Sequence, residues 1–265
     1  MSKTLSLEEL EKLINKSITK LTNLINDLKN DTADTNSFKK AGLLAYWISD
    51  YVHMLRNEKT FDSKKLLKYN RGDIVSVNFG YRIGSELGGK HFAIVLDNHN
   101  SIKSDVVTVL PLTSKKDKDA NTCFCYELKH GLFELHEIKL NKLIDECSLE
   151  LNSILATASS QAAEQFKTIS KRMDAVNKKI SEAEDLNKSL ARLKDGTIVN
   201  VGQIVTISKI RILNPKKASD SLNKIRISGE DLDAINEKIA YLYLGKNARK
   251  DAAFEAFASG VQNKS

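Results

Sequence analysis

Cysteine, proline and tryptophan are scarce in this chain of 265 residues, which holds three, two and one of them. Each shortage excludes something. Cys123 and Cys125 lie two apart in a strand-like segment, and residues that close rarely form an unstrained disulfide. No C-x-x-C spacing exists, so a zinc site of the usual kind is not expected. The cysteines read as reduced and structural. His53, His99, His130 and His136 follow no metal-ligand spacing, and neither metal nor cofactor is expected. His130 and His136 read as surface residues that bracket a turn. No apolar run is long enough to span a bilayer. Residues 1–6 are polar where a signal peptide would be apolar, so the expectation is a cytoplasmic protein with no membrane partner.

Glycine and proline are also missing from the whole stretch 136–193. That absence allows a long helix. Ile169, Met173, Val176, Ile180, Ala183, Leu190 and Leu193 keep a near-heptad spacing, with Lys and Glu between them. The pattern predicts a coiled-coil-like arm or a hairpin of two helices, with its bend at residues 157–160.

A balance of charge is lacking too. The net charge is +7. Lys209, Arg211, Lys216, Lys217, Lys224 and Arg226 share a stretch whose only acid is Asp220. A basic cluster beside a strand end suits a polyanion, although a solvated basic surface has the same composition.

What is present changes period along the chain. Leu10, Ile14, Leu21, Leu24 and Leu28 repeat at helical steps, and Ser6 with Glu9 has the capping-box spacing. This predicts a first helix over 7–30 and a second over 35–57, paired as a hairpin. From residue 70 the apolar residues cluster in short β-branched runs at 74–77, 92–96, 106–110 and 122–128. Strand patterns resume at 197–201, 203–212 and 222–227, and a capped helix follows to about residue 244. The reading is therefore α+β. Residues 1–66 form an N-terminal helical region. The sheet is split between 67–134 and 195–245, the arm 135–194 is inserted between its halves, and 246–265 is a helical tail.

Arg71-Gly72-Asp73 opens the first strand, and Gly84-Ser85-Glu86 and Gly88-Gly89 fill the loop after it. Residues 109–114, Val-Leu-Pro-Leu-Thr-Ser, form a strand with a polar end. Residues 203–209, Gln-Ile-Val-Thr-Ile-Ser-Lys, follow later, and Leu232, Ile235 and Ile239 mark a closing helix. This order resembles the MazF/PemK toxins over somewhat under half of the chain. The helical extension and the arm have no counterpart in the short members. The resemblance implies a small SH3-like antiparallel β-barrel of the MazF/PemK/CcdB kind. It also implies a metal-independent endoribonuclease acting on single-stranded RNA, an antitoxin partner and a possible homodimer. The family's catalytic arginine and its proline are His91 and Phe92 here. His91 is then the acid/base, with Thr113 at the phosphate. Arg71, Gly88, Gly89, Lys90, Ser114, Lys115, Lys116, Lys209 and Arg211 are the expected RNA contacts. Val205 stands where the family often has an arginine. A catalytically inactive nucleic-acid-binding barrel and a CcdB-like inhibitor of a protein target are the alternatives.

Overall fold

The computed structural model describes residues 5–116, 122, 124–158, 163–193 and 196–245. The expected C-terminal tail and Cys123 lie outside them. The described residues up to Phe61 join residues 80–89 in one compact unit, and 62–79 join the residues from Lys90 onward in another.

In the first unit, α1 (Leu7–Asn30) and α2 (Ser37–Glu58) pack as a hairpin. The capping box forms as the spacing predicts: the Glu9 amide donates to Ser6 Oγ at 3.2 Å, and the Ser6 amide donates to Glu9 Oε2 at 2.9 Å. Asp31 organises the turn. Its carboxylate accepts from the Ser37 hydroxyl at 2.7 Å and from the Ala33 amide at 2.9 Å, and these bonds hold its pKa below the ordinary carboxylate value. Leu21, Ile25 and Leu28 are half-buried, whereas Leu7, Leu10, Leu13, Ile14 and Ile18 stay exposed. Trp47 of α2 meets the loop 80–89 at Gly80, whose φ of +81° lies in the left-handed region.

The second unit is a seven-stranded sheet in the order β4-β5-β3-β2-β1-β7, with β6 also paired to β3. The strands are β1 (Ile74–Asn78), β2 (Lys90–Val95), β3 (Val106–Ser114), β4 (Cys125–Glu127), β5 (Thr197–Asn200), β6 (Val205–Ser208) and β7 (Ile212–Asn214). Every pairing is antiparallel. β5 and β6 both pair along β3, separated by a 3-10 turn at Val201–Gln203, and a further 3-10 turn at Lys209–Arg211 interrupts the predicted strand 203–212. Among the described residues β4 and β7 do not pair with each other. The strand path is open, and the closed barrel expected from the resemblance is not formed by these pairings.

The two faces of the sheet follow from its period of two. Ile74, Phe92, Ile94, Leu110, Leu112 and Val199 lie in one buried cluster with Leu132, Leu186, Leu190, Leu193 and Ile235. Each such side chain contributes about 1.5–3 kcal/mol when fully buried. The helical arm is thus rooted in the core. It consists of α3 (Leu132–Ala158) and α4 (Ala163–Leu190), and an Arg172–Glu150 ion pair at 3.2 Å ties them together.

The predicted strand 222–227 is instead a run of turns with one bridge, Asp73 to Arg226. Lys224 has φ 63°, which interrupts an extended chain, yet Leu222, Ile225 and Ile227 still reach the core. The closing helix α5 (Gly229–Leu244) is fixed by buried Asp231. This carboxylate accepts from the Tyr126 hydroxyl at 2.9 Å, the Lys129 amide at 3.1 Å and the Ser228 hydroxyl at 2.7 Å. Burial, followed by this bond to Asp231, pushes the Tyr126 pKa up.

Two substitutions check these contacts. Asp231→Ala leaves buried donors without a partner, and the expected loss is about 2–4 kcal/mol in urea unfolding. In Gly80→Ala, the new Cβ would lie 2.6–2.8 Å from three carbons of the Trp47 ring, at a left-handed φ. The expected cost is about 2–4 kcal/mol, against about 1 kcal/mol for Gly84→Ala, which meets open space. Equal costs at the two glycines would contradict the Trp47 contact.

Candidate functional site

Arg71-Gly72-Asp73 is tied into the sheet edge. The Arg71 guanidinium donates to the Leu96 carbonyl and to the Asn236 side-chain oxygen. Gly72 has φ +86°, and a Cβ there would lie 3.2 Å from Arg226 and from Leu232. Asp73 Oδ1 accepts from Arg226 Nε at 2.9 Å and Nη2 at 2.7 Å, while Oδ2 accepts from the Asn70 amide at 2.7 Å. The motif therefore fixes the start of β1.

The chain leaves β1 at Asn78, runs through the 80–89 loop and re-enters at Lys90. Within the loop the Gly89 amide donates to the Gly80 carbonyl at 2.7 Å. Gly89 is exposed and Gly88 half-buried. His91 follows two residues after Gly89 and is half-buried, opposite Val77 of β1.

Thr113 lies near the C-terminal end of β3. β2 and β3 pair at Ala93–Pro111, Ile94–Leu110 and Val95–Val109, and the ladder stops there. His91 and Thr113 each lie two residues beyond the last β2–β3 pair, and at that point β3 pairs with β5. Both residues then belong to the face that carries Val77, Ala93, Val95 and Val109, away from the main apolar cluster. Thr113 itself is half-buried and pairs with Ile198 of β5.

The basic residues separate into two kinds. Lys90 and Lys116 are exposed, and Ser114 is half-buried. Lys115 is exposed but pairs with Glu127 Oε1 at 2.8 Å. Lys209 is fully buried: its Nζ donates to the Ser101 carbonyl at 2.9 Å and lies 5.9 Å from the centre of the Tyr69 ring. Burial lowers its pKa against the opposing pull of Asp105 and Asp97. Arg211 donates to the Phe79 carbonyl at 3.2 Å, and Arg226 is paired with Asp73. The basic run 209–226 is therefore not one free surface. Its members alternate between the interior, structural pairs and solvent.

His136 corrects the sequence reading. It is buried in α3, whereas His130 is exposed and pairs with Glu134 at 2.9 Å. The spacing of His136, Leu140 and Leu143 is i, i+4, i+7, a helical face, and this is the signal that would have placed it.

Residues 70–183 match the family of PemK-like, MazF-like toxins of type II toxin-antitoxin systems. No curated protein matches the chain. The PemK/MazF segment includes β1 to β4, α3 and most of α4, and with them both His91 and Thr113. It stops before β5, β6 and β7, which complete the same sheet. Lys209 and Arg211 lie beyond it. No helix among the described residues is long and apolar enough to cross a membrane.

The division of the lysines is open to measurement. Lys209→Met removes the donor to the Ser101 carbonyl and is expected to cost about 1–3 kcal/mol in chemical unfolding. Lys116→Gln, at an exposed position, should stay within about 0.5 kcal/mol of the parent.

Proposed function

We propose that the protein is a toxin-antitoxin endoribonuclease that cleaves single-stranded RNA at a site built from His91 and Thr113. The observation that supports this reading is the β2–β3 pairing, which ends at Ala93–Pro111, two residues short of His91 on one strand and of Thr113 on the other. The family match supports the reaction class. Scission begins when a ribose 2′-hydroxyl attacks the adjacent phosphorus. The O2′–P bond forms and the P–O5′ bond breaks. Neutral His91 takes the 2′ proton, and the resulting imidazolium gives a proton to the departing 5′ oxygen, so the enzyme ends unchanged. Thr113 donates a hydrogen bond to a non-bridging oxygen, where negative charge builds. Lys90 and Lys116 add positive charge from solvent-facing positions, with Ser114 beside them. The Gly89 amide already donates to the Gly80 carbonyl, so it is not counted among the RNA donors. No metal enters this scheme.

The partner follows from the family: an antitoxin protein that neutralises the nuclease, with a homodimer as the assembly the resemblance implies. Lys209 and Arg71 are left out of the RNA contact set, because one is buried and the other is engaged by Leu96 and Asn236.

The test is purified full-length protein incubated with long RNA in chelator, followed by end-group analysis. The expected products carry 2′,3′-cyclic phosphate. His91→Ala should lower the cleavage rate by about 10²–10⁴-fold, and Thr113→Val by about 10²–10³-fold. Undiminished cutting by His91→Ala would remove the mechanism. Salt-sensitive RNA binding without any product would leave a binding barrel instead.

A further inference from the structure

A cavity of about 290 Å³ lies between α3 and the segment 218–224, away from His91 and Thr113. Its α3 wall is one helical face: His136, Lys139, Leu140, Leu143 and Glu146. That size falls at the lower end of small-ligand pockets.

The chemistry of the lining is incomplete without an occupant. His136 is 2% exposed, and its buried Nδ1 has no hydrogen-bond partner. Buried polar groups rarely stay unsatisfied. Lys139 Nζ donates to the carbonyls of Ser221 at 2.7 Å and Asn223 at 2.6 Å, which leaves one of its three donors. Lys224 faces the same cavity from an exposed position, at φ 63°, a conformation uncommon outside glycine, asparagine and aspartate. Such backbone outliers gather at ligand clamps. The bases oppose one another: burial and then Lys139 lower the His136 pKa, and burial and then Lys224 lower that of Lys139.

Two acids also line the space. Asp220 is held by the amides of Lys216 at 2.6 Å and Lys217 at 3.1 Å, so its carboxylate serves the turn. Glu146 lies seven residues beyond Lys139, about 10 Å further along the helix axis. The cavity thus offers cations at one end, leucines in the middle and a carboxylate acceptor at the other. A phosphomonoester that carries an apolar ring and hydroxyl donors complements all three.

We propose that this cavity binds a nucleoside monophosphate, with its phosphate between Lys139 and Lys224, its base on Leu140 and Leu143, and its sugar hydroxyls toward Glu146. His136 supplies a polar contact to the ligand from the cavity wall. Occupancy would bridge the root of the helical arm to the 218–224 turns.

Calorimetry on the full-length chain tests this with AMP and adenosine as probes. AMP is expected to bind at one site per chain, and adenosine about tenfold or more weaker, since it lacks the charge-assisted bonds. Lys224→Gln should weaken AMP by a similar factor without moving the unfolding midpoint, because Lys224 is exposed and makes no core contact. His91→Ala should leave AMP binding unchanged, which separates this site from the proposed nuclease centre. Failure of AMP to bind, equal binding of adenosine, or full AMP affinity in Lys224→Gln would each overturn the assignment.

Discussion

The fold depends on one strand, β3, holding its register on both edges at once. Its middle pairs with β2, its N-terminal half with β6 and its C-terminal end with β5. Those partners come from opposite ends of the domain sequence. A one-residue slip on either edge would turn Leu110 and Leu112 out of the core and Val109 into it, so the apolar pattern locks the pairing. The same lock sets which residues share a level across the sheet.

The inserted arm is the price of that arrangement, and it is made useful. A chain that leaves the sheet after β4 must return at β5, so the insertion needs its two ends close together. α3 and α4 meet this as a hairpin. Its root is anchored by Leu132, Leu186, Leu190 and Leu193, and by the Leu132 amide donating to Thr197 Oγ1 at 2.9 Å. Burying the root makes the arm part of the domain's stability. The distal turns carry Ile144, Leu149 and Ile180 in the open.

Charge is arranged by the same logic. Desolvating an ammonium is costly, so buried Lys209 keeps a carbonyl acceptor and lies beside an aromatic ring. Asp73 and Arg226 join the beginning of β1 to the segment before α5, far apart in sequence. Among the described residues Lys116, Lys216, Lys217 and Lys224 are exposed. Formal charge read along the chain overstates what a polyanion meets.

Local signals were enough for the helices. The capping box at Ser6 and Glu9 and the breaker-free stretch after residue 136 gave α1 and the arm, because helical periodicity and end chemistry act within a few residues. The β-branched runs gave β1, β2 and β3 for the same reason. The glycine-rich loop and the polar end of β3 gave the family. Other features depended on pairing between distant segments. The breaks around β6, the turn at Lys224 and the burial of Lys209 and His136 arise from what each residue packs against, and no window of sequence contains those partners. The open strand path belongs to this second group, since closure is decided by whether the end strands meet. Composition and spacing thus determined the elements and their faces; the long-range register alone decided which strands become neighbours, because hydrogen-bond ladders join residues the chain keeps far apart.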